Sequence, residues 1–240
     1  MFSFSSRFFA HRGLHHRPQA PENSLAAFQA AIRHGYGIEL DVRRTADDQL
    51  VVFHDATLDR LCGRPGKVEE MTWEQLKDLP LGQSQETIPL FSQVLELVRG
   101  QVPLLVEIKM EGLDFRLCPL AAEMLDSYQG PFVLESFHPY VLYWFRRHRP
   151  LIPRGQLVTH FVREFPDFPL WQRLLMQSRL TDLWTQPCFY ALDRQYRDAR
   201  FSRTLARRRP VFGWTFRTRE ELREGSGKYD FYICEREPST

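Results

Sequence analysis

Residues 37–54, GIELDVRRTADDQLVVFH, decide the fold. In GIELDV, Glu39 and Asp41 share one face of an extended strand and Ile38, Leu40 and Val42 share the other, because side chains alternate along a strand. A solvated edge strand with two exposed acids carries the same pattern. Working outward, LLVEIK at 104–109 repeats it, with Glu107 and Lys109 opposite Val106 and Ile108. Short apolar runs alternate with amphipathic stretches along the rest of the chain, which is the pattern of βα units. Eight candidate strands emerge, at 7–11, 37–42, 50–54, 104–109, 132–136, 155–159, 188–192 and 211–215. Eight such units in 240 residues predict a single-domain α/β protein of the (β/α)8, or TIM, barrel type, whose usual length is about 250 residues. Strands of such a barrel are enclosed on both faces, so unpaired acids on them would be costly.

Between the strands, Asn23 is placed to cap a helix whose apolar face is Leu25, Phe28 and Ile32, with Gly35 as its stop. Phe91, Val94, Leu95 and Val98 repeat the pattern before Gly100, and Thr72 with Gln75 and Thr218 with Glu221 have capping-box spacing. Residues 55–88 are too long for a loop and helix and contain Gly63, Pro65, Gly66, Pro80 and Gly82. They read as a small excursion over the barrel mouth, after the third strand, within one domain spanning 1–240.

The composition excludes several classes. A hydrophobic share of 43% with 26% charged residues is that of a globular chain with a large core, and a net charge of +2 calls for no nucleic-acid partner. No run reaches the ~18 apolar residues of a spanning helix, so no membrane insertion is expected. MFSFSSRFFA lacks the basic-then-apolar order of a signal peptide, and the first strand runs straight into His11. A cytoplasmic protein is expected. Cys62, Cys118, Cys188 and Cys234 form no CxxC pair, which argues against a zinc site or a dense disulfide framework.

Reactive groups of a βα barrel sit at the C-terminal ends of its strands. Glu39, Asp41 and Glu107 all fall there. Two carboxylates about 4 Å apart repel by roughly 4 kcal/mol at an effective dielectric near 20, so three cannot converge ionised without a cation. A divalent metal is the simplest one, and all-oxygen ligands favour Mg²⁺ or Ca²⁺. The alternative is a salt-bridge network through Lys109 and Arg12. His11 in AHRG and His54 in VVFHD also end predicted strands beside the acids. Imidazole, with an ordinary pKa near 6.5, can serve as base or acid in phosphodiester cleavage.

Taken together, AHRGLHHRPQAPENSLAAF, GIELDVRRTADDQLVVFHDATLDRLCG and LLVEIK resemble the glycerophosphodiester phosphodiesterase family. The motifs HRG, PEN, ELDV, HD and EIK occur in order, and weaker matches continue in ESFHP and FGWTF. The resemblance implies an eight-stranded barrel, one divalent cation, and hydrolysis of a small glycerophosphodiester to an alcohol and glycerol 3-phosphate. It assigns Glu39, Asp41 and Glu107 to the metal and His11 with His54 to acid/base catalysis, matching the residue-level reading. It further implies that Arg12 and Lys109 hold phosphate oxygens and that Glu22 and Asn23 line the site or fix the first loop. Phe137 and Trp214, at later strand ends, are candidates to pack glycerol carbons, or are ordinary core. The family's threonine-aspartate-x-proline step is replaced here by YICEREP, with Glu235 and Glu237 in that neighbourhood. Two rival readings stand: a lysophospholipase D or sphingomyelinase D-like enzyme, marked by an apolar channel at the mouth, and a non-catalytic barrel that binds phosphate ligands or a lipid surface.

Overall fold

A computed structural model describes residues 4–16, 18–110, 112–196 and 209–235 of the chain. The strands are β1 (Phe8–Ala10), β2 (Gly37–Arg44), β3 (Leu50–Val52), β4 (Leu104–Ile108), β5 (Phe132–Ser136), β6 (Arg154–Val158), β7 (Phe189–Asp193), β8 (Val211–Phe216) and β9 (Phe231–Cys234). Between them run α1 (Leu25–Arg33), α2 (Asp59–Cys62), α3 (Trp73–Leu76), α4 (Phe91–Val98), α5 (Leu117–Ser127), α6 (Pro139–His148), α7 (Phe161–Glu164), α8 (Leu170–Ser178), α9 (Asp182–Thr185) and α10 (Arg219–Gly225). The sheet order β1-β9-β8-β7-β6-β5-β4-β2, with β1 also paired to β2, closes a parallel (β/α)8 barrel.

The membership of the barrel differs from the sequence expectation at two places. The segment 50–54 is not a barrel strand: β3 pairs antiparallel to β2, with Arg43 opposite Val51. The reason is the reversal at 45–49, where Thr45 and Gln49 hydrogen-bond to each other and Asp48 turns with φ 61°. A parallel neighbour needs a crossover of about a dozen residues, and this connection is too short for one. The missing barrel strand is β9, which lies parallel between β8 and β1, with Phe9 opposite Ile233.

Side chains separate into layers. Phe9, Leu105, Val133, Leu157, Phe189, Ala191, Phe212 and Ile233 fill the barrel interior. Leu104, Val106, Leu134 and their neighbours face outward against helices, packing on Phe28, Phe91 and Phe145. Gly155 lies on the inner face, where a Cβ would stand 2.1 Å from the Phe189 ring, so the glycine makes room for that ring. The segment after β3 has its own small core of Val51, Phe53, Leu58, Leu61, Val68, Leu76, Leu81 and Ile88.

Helix ends follow local chemistry. The cap of α1 is Ser24, whose Oγ accepts from Ala27 N, and not Asn23. Asn23 instead takes a left-handed backbone, φ 57°, and turns its amide elsewhere. Gly35 does adopt the left-handed turn, φ 68°, and the capping box at Thr218 forms in full, whereas at Thr72 only the Gln75 side chain reaches back to the cap N–H. Among the described residues no helix is long and apolar enough to cross a membrane.

Candidate active site

The inner-face alternation that builds the apolar layer continues toward the C-terminal ends of the strands and changes chemistry there. Two residues beyond Phe9, Leu105, Val133, Phe212 and Ile233 stand His11, Glu107, Glu135, Trp214 and Glu235. On β2, Glu39 and Asp41 occupy the same face. Oxygens of Glu39, Asp41 and Glu107 lie within 4.8 Å of one another, and these side chains are almost wholly buried. Parallel register places Asp41 beside Glu107, and Glu107 beside Glu135.

Cations and amides surround this cluster. Lys109 Nζ lies 3.1 Å from Asp41 Oδ1 and 2.9 Å from Glu107 Oε1. The backbone N–H of Arg12 donates to Glu39 Oε2 at 2.8 Å, and its guanidinium Nε is 3.6 Å from Asp41 Oδ2. Asn23 Nδ2 donates to Asp41 Oδ2 at 2.8 Å. Arg12 and Asn23 both have left-handed backbone, φ 55° and 57°, which costs a non-glycine residue roughly 1 kcal/mol or more each. The conformation holds because Asn23 N donates to Arg12 O and Gly13 packs against Ala27, where a Cβ would be 2.9 Å from the Ala27 backbone. The HRG and PEN motifs are thus one clasp on the acid pair. Glu22 closes it, accepting from Arg12 and from Arg60 of α2.

The two histidines enter from different supports. His11 follows β1, with Nε2 4.0 Å from Glu39 and Nδ1 3.7 Å from Glu235, the latter too long for a hydrogen bond. His54 does not end a barrel strand. It lies two residues beyond β3, its carbonyl held by the Arg43 guanidinium and its Nδ1 2.7 Å from Asp55 Oδ1, which Arg60 grips in turn. A proton on its imidazole would favour the ionised forms of Asp41 and Glu107. Phe137 and Trp214 meet edge to face at 5.9 Å on top of the inner apolar layer.

The protonation pattern follows from burial. Burial pulls the His11 imidazole down to about 4. Burial and the neighbouring Asp41 and Glu107 raise Glu39 well above the usual carboxylate range, and burial also raises Glu107 against the pull of Lys109. Asp41 alone is held well below that range: burial opposes this, but Lys109, His54 and Arg12 outweigh it. Burial and the charges of Glu107 and Glu39 push Glu135 well above it too. Ionised together, these four buried acids would outnumber the permanent cations beside them, Lys109 and Arg12, so full ionisation calls for more positive charge than the two supply. An all-oxygen donor set with surplus acid and a buried, unpartnered Glu135 Oε2 fits a hard divalent cation.

Sequence reasoning passed over Glu135, Asp55 and Arg60. Glu135 carried a signal, the same two-residue step from an inner apolar residue that marks Glu107. Arg60 carried none, since its role depends on how α2 folds back over the mouth. Glu235 was noted only as a departure in the closing segment, and it lies beside His11; Glu237 lies outside the described residues.

Comparison with known proteins agrees with this geometry. The model of the glycerophosphoryl diester phosphodiesterase family matches residues 11–227. A glycerophosphodiester phosphodiesterase of Bacillus altitudinis is 32% identical over 177 residues, covering 69% of this chain and 71% of that protein. Among solved structures, an Oleispira antarctica phosphodiesterase in complex with the product sn-glycerol-3-phosphate superposes with a TM-score of 0.79 at 24% identity, covering 96% of this chain and 93% of that one. A glycerophosphodiester phosphodiesterase of Thermotoga maritima gives 0.75 at 22% identity, covering 98% and 96%. At these identities the two structures speak for the fold.

Proposed function

We propose, from the premise that the chain belongs to the glycerophosphoryl diester phosphodiesterase family and is a phosphoric diester hydrolase, that it hydrolyses glycerophosphodiesters to an alcohol and glycerol 3-phosphate. The carrying observation is the convergence of Glu39, Asp41 and Glu107 within 4.8 Å, with His11 Nε2 4.0 Å from Glu39. In this reading residues 1–240 act as one domain, and the three carboxylates hold one divalent cation, Mg²⁺ or Ca²⁺. When bound, the cation polarises a phosphoryl oxygen as a Lewis acid.

The chain's own groups do the rest. Lys109 and Arg12 offer N–H donors toward the phosphate and offset charge that builds on its oxygens, while Glu22 and Asn23 fix the loop that carries Arg12. His11, kept unprotonated by burial, accepts the proton of the nucleophile, which is water or the substrate's glycerol hydroxyl, the latter giving a cyclic phosphate that water then opens to glycerol 3-phosphate. To protonate the leaving oxygen, His54 carries a proton on both ring nitrogens: Nδ1–H is held by Asp55, and Nε2–H is given to the leaving oxygen. Trp214 and Phe137 pack the glycerol carbons.

The test is incubation of purified protein with glycerophosphocholine, glycerophosphoethanolamine or glycerophosphoglycerol in Mg²⁺, Ca²⁺ or EDTA, measuring released alcohol and glycerol 3-phosphate. Chelation is expected to abolish release. His11→Ala and His54→Ala are each expected to lower kcat by roughly 10²–10⁴-fold. Near-wild-type turnover in both variants rejects the acid/base assignment.

A second reading, action on lysophospholipids, is favoured by an aromatic path leading from the mouth. Trp214 touches Phe137, Phe137 touches Phe165 at 5.6 Å, and Phe165 touches Phe168 at 5.4 Å. Phe168 is exposed, as are Leu170, Trp171 and Leu174 on α8. A kcat/KM for lysophosphatidylcholine above that for glycerophosphocholine supports this reading. A lower value returns the path to a structural role.

A further inference from the structure

Glu135 is a fully buried acid of the barrel interior that the reading above leaves without work. Its position is unambiguous: Val133, two residues back, belongs to the inner apolar layer, and Leu134 between them belongs to the outer one. Glu135 therefore points inward, one layer above Val133, at the height of Glu107, its register partner on β4. Its other neighbour in register is Gly155, which has no side chain to meet it. The residue is 1% exposed, and Oε2 is buried with no hydrogen-bond partner among the described residues.

A structural carboxyl is normally surrounded by donors, because a buried acceptor left unpaired is costly. The charges that act on Glu135 are mainly those of other acids, Glu107, Glu39 and Asp41, and the opposing ammonium of Lys109 already bridges Asp41 and Glu107 at 3.1 and 2.9 Å. The adjacent Ser136 does not help, since its hydroxyl donates to Ile108 O at 2.8 Å. An apolar side chain at this height would pack on Val133 without any such conflict. A buried carboxyl with an unpartnered oxygen, on the inner face beside Glu107 and its acid cluster, gains a partner when something positive enters there.

We propose that Glu135 is a fourth carboxylate of the cation site, its free oxygen meeting the divalent ion directly or through one water of the ion's shell. The proposal rests on the reading that Glu39, Asp41 and Glu107 hold a cation. It adds an anionic oxygen from a third strand, β5, so that the ion is gripped by β2, β4 and β5. Hard cations take six or more oxygens, and affinity rises with the number of charged ones.

The experiment is calorimetric titration of the metal-free protein with CaCl₂ and with MgCl₂, for wild type, Glu135→Gln and Glu135→Asp. Glutamine keeps the volume and removes the charge, and aspartate keeps the charge one methylene further back. Glu135→Gln is expected to raise Kd for the better-bound ion by roughly 10–100-fold, as losses around a metal site do, with Glu135→Asp in between. Circular dichroism of the metal-free variants should match wild type. Wild-type Kd in both folded variants overturns the role of Glu135 and leaves the three-carboxylate site standing. A wild-type protein that takes up neither ion overturns both. Should Glu135→Gln fail to fold, Glu135→Asp decides alone: a weakened Kd supports the proposal and an unchanged one rejects it.

Discussion

Glu22 sits between two guanidiniums, accepting from Arg12 at 2.8 Å and from Arg60 at 2.7 Å. Burial would raise its carboxyl, but the hydrogen bonds and charges of Arg60 and Arg12 win and hold it down at about 2. A carboxylate whose folded pKa is depressed contributes stability above its unfolded value and loses it as pH falls toward the folded one. The contribution, at most about 3 kcal/mol, should be full above pH ~5 and gone near pH 2. Urea unfolding of wild type and Glu22→Gln across pH 6 to 2.5 is expected to show a gap that closes as the solution becomes acid. A constant gap would mean that packing, and not charge, holds the clasp. At this scale much was readable: Glu39, Asp41, Glu107 and His11 end inner-facing strand runs, so alternation alone aims them. Asn23 and Ser24 were not separable, because both can cap a helix. What divides their work is Asp41, 18 residues away, which claims the Asn23 amide.

Elements were legible where a period and a stop signal agreed, as in α1 and α4, and misread where only apolarity was weighed. Residues 50–54 and 231–234 are both short apolar runs. Connection length separates them: the tight reversal at 45–49 allows only an antiparallel partner, whereas α10 lies between β8 and β9 and permits a parallel one. The same strand-level argument governs Gly155, whose absent Cβ leaves space for Phe189. Gly155→Ala is expected to cost about 1–3 kcal/mol by overpacking the interior. Denaturant midpoints check this. Adding Phe189→Leu to Gly155→Ala should recover part of the loss if the ring is the obstacle.

For the whole molecule, the proposed cation at the cluster of buried acids at one end of the barrel would tie folding to its binding. An ion that binds only the folded form at 100 times its Kd adds about 2.7 kcal/mol, or roughly 5–10 °C in Tm for a chain of this size. Scanning calorimetry in saturating Mg²⁺ or Ca²⁺ against EDTA should show that rise; equal midpoints would argue that protons and the two cationic side chains satisfy the acids unaided. The barrel as a class was readable from the alternation of βα units, while its closure was not, since nothing local in residues 231–234 announces a partner at residues 8–10.

That seam orders events during synthesis. β1 hydrogen-bonds both β2 and β9, and the Arg7 guanidinium reaches the carbonyl of Asp230 across 223 positions of chain. A nascent polypeptide leaving the ribosome can therefore assemble β1, β2, β4 and their successors only as an open, growing sheet. One flank of the earliest strand stays unclaimed until the last segment has emerged.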